Sequence, residues 1–128
     1  MQKEILEKQP DANLRVYAVW FSMIESDSRP RWPRDILSDP RVIHLWDEER
    51  ILGRWYAQDL NLKLWSRTLK TWTDALWDAY LLYDAEARWS SGPRPLVAWG
   101  TTIMESREEL RAKLHPLLRD SSKKAPGR

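Results

Sequence analysis

Residues 14–23 read LRVYAVWFSM, and the fold turns on how this stretch is read. From Val16 to Phe21 the side chains are apolar without interruption. A half-buried strand alternates apolar and polar residues with period two. An unbroken run of β-branched and aromatic residues instead predicts a strand covered on both faces. Such strands belong to parallel or mixed sheets flanked by helices.

Upstream, Gln2–Lys8 reads as a short helix with Ile5 and Leu6 inward, and QPDAN at 9–13 reads as a turn. Downstream, residues 25–33 form a loop broken by Pro30 and Pro33, with Pro33 opening a short helix that ends near Ser38. Val42–Trp46 is a second strand. Asp47 is placed to cap a helix over residues 48–60, with Ile51, Leu52, Trp55, Tyr56 and Leu60 on its inward face. Residues 61–76 read as a loop with a helical turn. Trp77–Tyr83 is a third strand, residues 84–88 a turn, and Leu96–Gly100 an antiparallel return strand. Ser106 and Glu109 have capping-box spacing at the start of a last helix. Leu110, Leu114 and Leu117 face inward there, and Pro116 frays its end. The expected organisation is one domain over residues 1–119 and a disordered basic tail over 120–128.

Composition narrows the chemistry. The 128 residues include no cysteine, which excludes disulfides, thiolate nucleophiles and cysteine-based metal or iron–sulfur sites. Only His44 and His115 are histidines, so a histidine-built metal site is not expected, and no cofactor is. The net charge of +2 sits in residues 120–128, leaving the rest neutral. A basic stripe for nucleic acid is therefore absent, and no nucleic-acid partner is expected. No run of about 18 apolar residues exists, so a membrane span is not expected either. The first residues lack the apolar stretch of a signal peptide, and the expected location is cytoplasmic. Nine tryptophans are the one unusual feature.

The element order resembles the thioredoxin fold, in the branch of peroxiredoxins and related thiol-disulfide reductases. Residues 47–56, DEERILGRWY, are similar to a helix motif of that branch, with Asp47, Gly53 and Tyr56 at the matching positions. WDAYLLYDAEARW at 77–89 is similar to its following strand and turn. These two segments also look like stretches of bacterial thioredoxin-like proteins. The resemblance covers most of residues 3–118 and implies an α/β fold, a thioredoxin-like mixed sheet flanked by helices and shortened at its N-terminus. The family's first strand and its Cys-x-x-Cys have no counterpart here. Its cis-proline is replaced by Thr73-Asp74-Ala75-Leu76. No catalytic residue carries over.

The resemblance places the working face at residues 23–32 and 75–78, where Asp27, Arg29, Trp32, Trp77 and Asp78 are the candidate ligand-binding residues. A solvated loop with Trp77 packed on the sheet is the plainer reading of the same residues. Arg29–Arg34 interleaves basic and aromatic side chains, but Asp27 and Asp35 flank it. His44, mid-strand, is expected to be half-buried and hydrogen-bonded. Without the family's central strand, the strand around Val16 would leave a row of backbone groups unpaired. That predicts a homodimer, or a higher even assembly, whose interface includes Val16, Tyr17, Val19, Trp20 and Phe21 or the flanking N-terminal helix. The functional expectation is a non-catalytic scaffold for protein interaction or self-association. The alternatives are a redox-family protein whose active segment lies upstream or was lost, and a tryptophan-lined small-molecule binder.

Overall fold

A computed structural model describes residues 1–66, 69–90 and 92–123, with side chains as far as Arg119. Helices and strands are mixed. The chain divides into two compact units, Arg15–Trp77 and a second made of Met1–Leu14 with the chain from Asp78 onward.

In the first unit, β1 (Val16–Trp20) and β2 (Val42–Trp46) pair in parallel, from Val16 against Val42 to Trp20 against Trp46. Period two along each strand puts Val16, Ala18, Trp20, Val42, His44 and Trp46 on one face. Tyr17, Val19, Ile43 and Leu45 fall on the other. The expectation of a strand covered on both faces is corrected here. Tyr17, Ile43 and Leu45 are 57%, 40% and 46% exposed, so the second face is open. An unbroken apolar run reports that both faces are apolar, not that both are covered.

Between the strands, the expected helix from Pro33 is replaced by two three-residue 3-10 turns, Arg29–Arg31 and Arg34–Ile36. The prolines at 30 and 33 deny the segment the N–H groups a longer helix needs. Before β2, the Asp39 carboxylate accepts the backbone N–H of Arg41 and two bonds from its guanidinium. Those bonds, the guanidinium's first, hold the carboxyl down to about 2.

The helix α1 covers Ile51–Asp59 and starts later than expected, because Arg50 is in the left-handed region at φ 57°. Asp47 still caps it, accepting the N–H groups of Ile51 (2.9 Å) and Leu52 (2.8 Å). Its buried positions are Gly53 and Ala57, while Ile51, expected inward, is exposed. Gly53 explains the shift. A Cβ there would lie 3.0 Å from the Leu76 carbonyl oxygen and 3.0 Å from Phe21 Cζ. The Leu76 N–H donates to the Gly53 carbonyl at 2.8 Å. The helix thus docks through its smallest residues.

The expected loop over 61–76 contains an antiparallel pair, β3 (Leu64–Ser66) with β4 (Thr71–Thr73). Trp65 and Trp72 sit opposite each other, edge to face at 5.5 Å, both exposed. That cross-strand contact stabilises a pair of strands where a loop with a helical turn was expected.

In the second unit, Gln2–Leu6 forms a π-helical turn with Ile5 and Leu6 buried, as expected. β5 (Ala79–Trp89) and β6 (Pro93–Thr101) make an antiparallel hairpin, and α2 (Ile103–Lys123) follows. The strand predicted over 77–83 begins two residues late and runs through the predicted turn. The register breaks near Tyr83 absorb that irregularity. The helix also starts earlier than the capping box implied. The Ile103 N–H is taken by Asp78, through its carbonyl and its carboxylate, and the Ser106 hydroxyl donates to the Thr101 carbonyl. Pro116 sits inside the helix, which runs on to Lys123. Residues 120–123 of the expected tail are therefore helical, and 124–128 lie outside the described residues. Ile5, Tyr80, Leu82 and Leu114 form the buried core, with Leu110 and Leu117 packed against it as expected. Among the described residues the strands form three two-stranded sheets in place of one mixed sheet.

Candidate functional site

A connected set of side chains lies on the inner face of β1–β2. Trp20 donates its indole N–H to His44 Nδ1 at 3.0 Å. The opposite ring nitrogen of His44 lies 2.9 Å from the Leu37 carbonyl oxygen. A nitrogen that accepts from an indole is unprotonated, and one that faces a carbonyl must donate. Together these contacts suit the tautomer that accepts at Nδ1 and donates from Nε2. The expected half-buried, hydrogen-bonded histidine is what β2 carries. Trp32 packs over this face, 6.2 Å from the His44 ring and 5.8 Å from that of Trp46. Arg34 lies 4.9 Å above the Trp32 ring, and Trp46 donates to Glu48.

This cluster binds the segment 29–37 to the sheet. Both ring nitrogens of His44 are engaged, one by the Trp20 indole and one at the Leu37 carbonyl. The Trp32 indole nitrogen is buried without a hydrogen-bond partner among the described residues, which speaks for packing at that ring.

Asp27 accepts the backbone N–H groups of Met23 (2.9 Å) and Ile24 (3.1 Å), closing the turn after β1. Arg29 is exposed in the first 3-10 turn, and Trp77 is half-buried at the end of the unit. Asp27, Arg29, Trp32 and Trp77 share no hydrogen bond, ion pair or ring contact with one another. Asp78 belongs to the other unit, where its backbone is left-handed at φ 47° and it receives the N–H of Ile103. The carboxylates thus have local structural tasks that a reading of residue types alone misses. Spacing holds the signal: Asp27 stands three and four residues after the N–H groups it accepts.

Of the residues expected at an interface, Trp20 turns inward to His44. Phe21 comes within reach of Gly53 on α1. Tyr17 and Val19 lie on the open face. In the other unit, a shallow groove of about 430 Å³ between the N-terminal turn and α2 is lined by Glu4, Lys8, Arg111 and His115, among others. Glu108 engages Arg111 at 3.2 Å, leaving this groove mixed in charge. Among the described residues no group of three or more His, Asp or Glu is placed to hold a metal ion. None of the helices described is long and apolar enough to cross a membrane. No family model, no curated protein and no solved structure matches this chain.

Proposed function

We propose that this chain is a non-catalytic interaction module that acts by self-association, as a homodimer, and has no thiol redox activity. The observation that carries this reading is the open apolar face of β1–β2. Tyr17, Ile43 and Leu45 stand together there with more than a third of each surface in solvent. Among the described residues the outer edge of β1 pairs with no strand, and an unpaired edge beside an apolar face is a template for pairing with another chain. The absence of cysteine supports the second half of the proposal.

The relation to the thioredoxin-like family is proposed at the level of scaffold alone. It is supported by the order of elements: β1, then β2 beside it in parallel, a helix opened by Asp47, an antiparallel hairpin and a closing helix. A shared scaffold does not carry activity with it.

Sedimentation at micromolar concentration tests the proposal. The chain is expected above its monomer mass of 15.3 kDa. Tyr17→Glu, which puts a charge on the open face, is expected to return it to the monomer with its circular dichroism unchanged. A wild-type chain that stays monomeric across that range rejects the reading. Dithiothreitol-driven insulin reduction above blank would reject its non-redox half.

A further inference from the structure

We infer that two copies of this chain join through β1, edge to edge and antiparallel, about a two-fold axis at Ala18. The inference rests on the self-association reading and specifies its geometry.

The ladder between β1 and β2 determines which backbone groups of β1 are engaged. The Val16 N–H donates to the Arg41 carbonyl at 3.1 Å, and the Asp47 N–H to the Trp20 carbonyl at 2.7 Å. The groups of Val16, Ala18 and Trp20 therefore aim at β2. Backbone direction alternates along a strand, so the N–H and C=O of Tyr17 and Val19 aim the other way. Among the described residues no strand pairs with that side. Proteins usually blunt such an edge with lysine, proline or a bulge. VYAVW contains none of these.

A two-fold axis at Ala18 makes this edge complementary to itself. Tyr17 then faces Val19 of the second copy, and Val19 faces its Tyr17, each pair exchanging two N–H···O bonds. Ala18 faces its own equivalent in the close, non-hydrogen-bonded pair, where the smallest side chain of the strand is the one that fits. Tyr17 and Val19 stand on the open face beside Ile43 and Leu45.

Charge favours the same direction. β1 and β2 run parallel, so the exposed Arg15 lies at the starting end of the sheet. Glu25, Asp47 and Glu48 follow the finishing end. Antiparallel pairing about Ala18 sets each copy's Arg15 opposite Phe21 of the other, on the side of its exposed Glu25. A five-residue edge buries less than the roughly 800 Å² per partner of a standard interface, so the dimer is weak and concentration-dependent.

The absence of cysteine makes the test clean, because Ala18→Cys carries the only thiol. Cα atoms in the close antiparallel pair stand about 4.5 Å apart, within disulfide range. Mild oxidation is expected to convert Ala18→Cys to a covalent dimer at concentrations where the wild type associates. Tyr17→Cys, two residues out of register with its own equivalent, is expected to cross-link several-fold more slowly. Val19→Pro deletes an outward N–H and leaves the ladder to β2 intact. It is expected to abolish association, with thermal unfolding confirming that the chain is folded. Association by sedimentation without preferential cross-linking at position 18 overturns the edge geometry and leaves self-association standing. A monomer at all concentrations overturns both.

Discussion

The two units solve the burial problem differently. In the second, the hairpin β5–β6 lies in contact with α2, and Ile5, Tyr80, Leu82 and Leu114 are each more than nine-tenths buried. One amphipathic helix on one sheet face closes a core of large side chains. In the first unit the buried apolar residues are mostly small or single: Val42, Gly53, Ala57, Ala75 and Leu76. Three of its large aromatics, Trp20, Trp32 and Trp46, are held half-buried by ring contacts and by His44. Here polar caps and stacking supply the definition that a closed core supplies elsewhere, and one sheet face is left over.

The contrast can be broken most directly at Leu114. Leu114→Ala is expected to cost about 2–5 kcal/mol in chemical denaturation, because the closed core cannot collapse around the missing atoms. A cost below about 1 kcal/mol would show that this core is no better packed than the other unit.

Gly53→Val probes the small-residue docking of α1. Added carbons would meet a backbone carbonyl and Phe21, and the expected loss is about 1–3 kcal/mol. Gly53→Ala is expected to lose less, since alanine recovers helix propensity. Equal stability of Gly53→Val and wild type would refute the close approach.

A smaller effect is expected from acid. The Asp39 carboxyl, ordinarily at 3.8, is lowered to about 2 by Arg41, so the folded state favours its ionised form. The stability this contributes is complete above about pH 4 and is lost as pH falls toward 2. Asp39→Asn should flatten that part of the stability–pH curve, and an unchanged slope would remove the pair from the account.

The smallest effect is expected at Tyr80. Its hydroxyl is buried without a partner among the described residues. Burial, with the charge of Glu109 second, raises its ionisation above the usual 10. The neutral phenol is the form the fold favours, so its contribution is present below pH 10 and lost above it. Tyr80→Phe removes an unsatisfied group and is expected to leave the melting temperature unchanged or slightly raised. A clear drop would reveal a hydrogen bond at that oxygen.

Local patterns carried much of this architecture. Val42–Trp46 is a strand within the expected bounds, and Asp47 caps the next helix as its position suggested, because both depend on residues within one turn. The α2 heptad of Leu110, Leu114 and Leu117 was equally legible. The β3–β4 hairpin was not. Its strands are three residues each, too short for periodicity to register, and its signal is the meeting of Trp65 with Trp72 across the turn. The tasks of Asp27 and Asp78 were hidden for a related reason. A carboxylate that accepts backbone N–H groups is indistinguishable by residue type from one that awaits a ligand.

What the amino-acid sequence determined by itself is the chemistry this protein lacks and the places where strands and helices nucleate. With no cysteine this chain carries no thiol, and the runs rich in β-branched and aromatic residues at 16–20 and 42–46 form strands. Tertiary structure alone decided which faces those strands cover. LRVYAVWFSM is apolar on both sides. That Trp20 turns in to His44 while Tyr17 stands in solvent depends on how residues 29–37 return across the sheet, tied down by Trp32 and the Leu37 carbonyl. Where a segment is apolar on one face only, as at Leu110, Leu114 and Leu117, its pattern names the buried side; where it is apolar on both, only the segments that meet it decide.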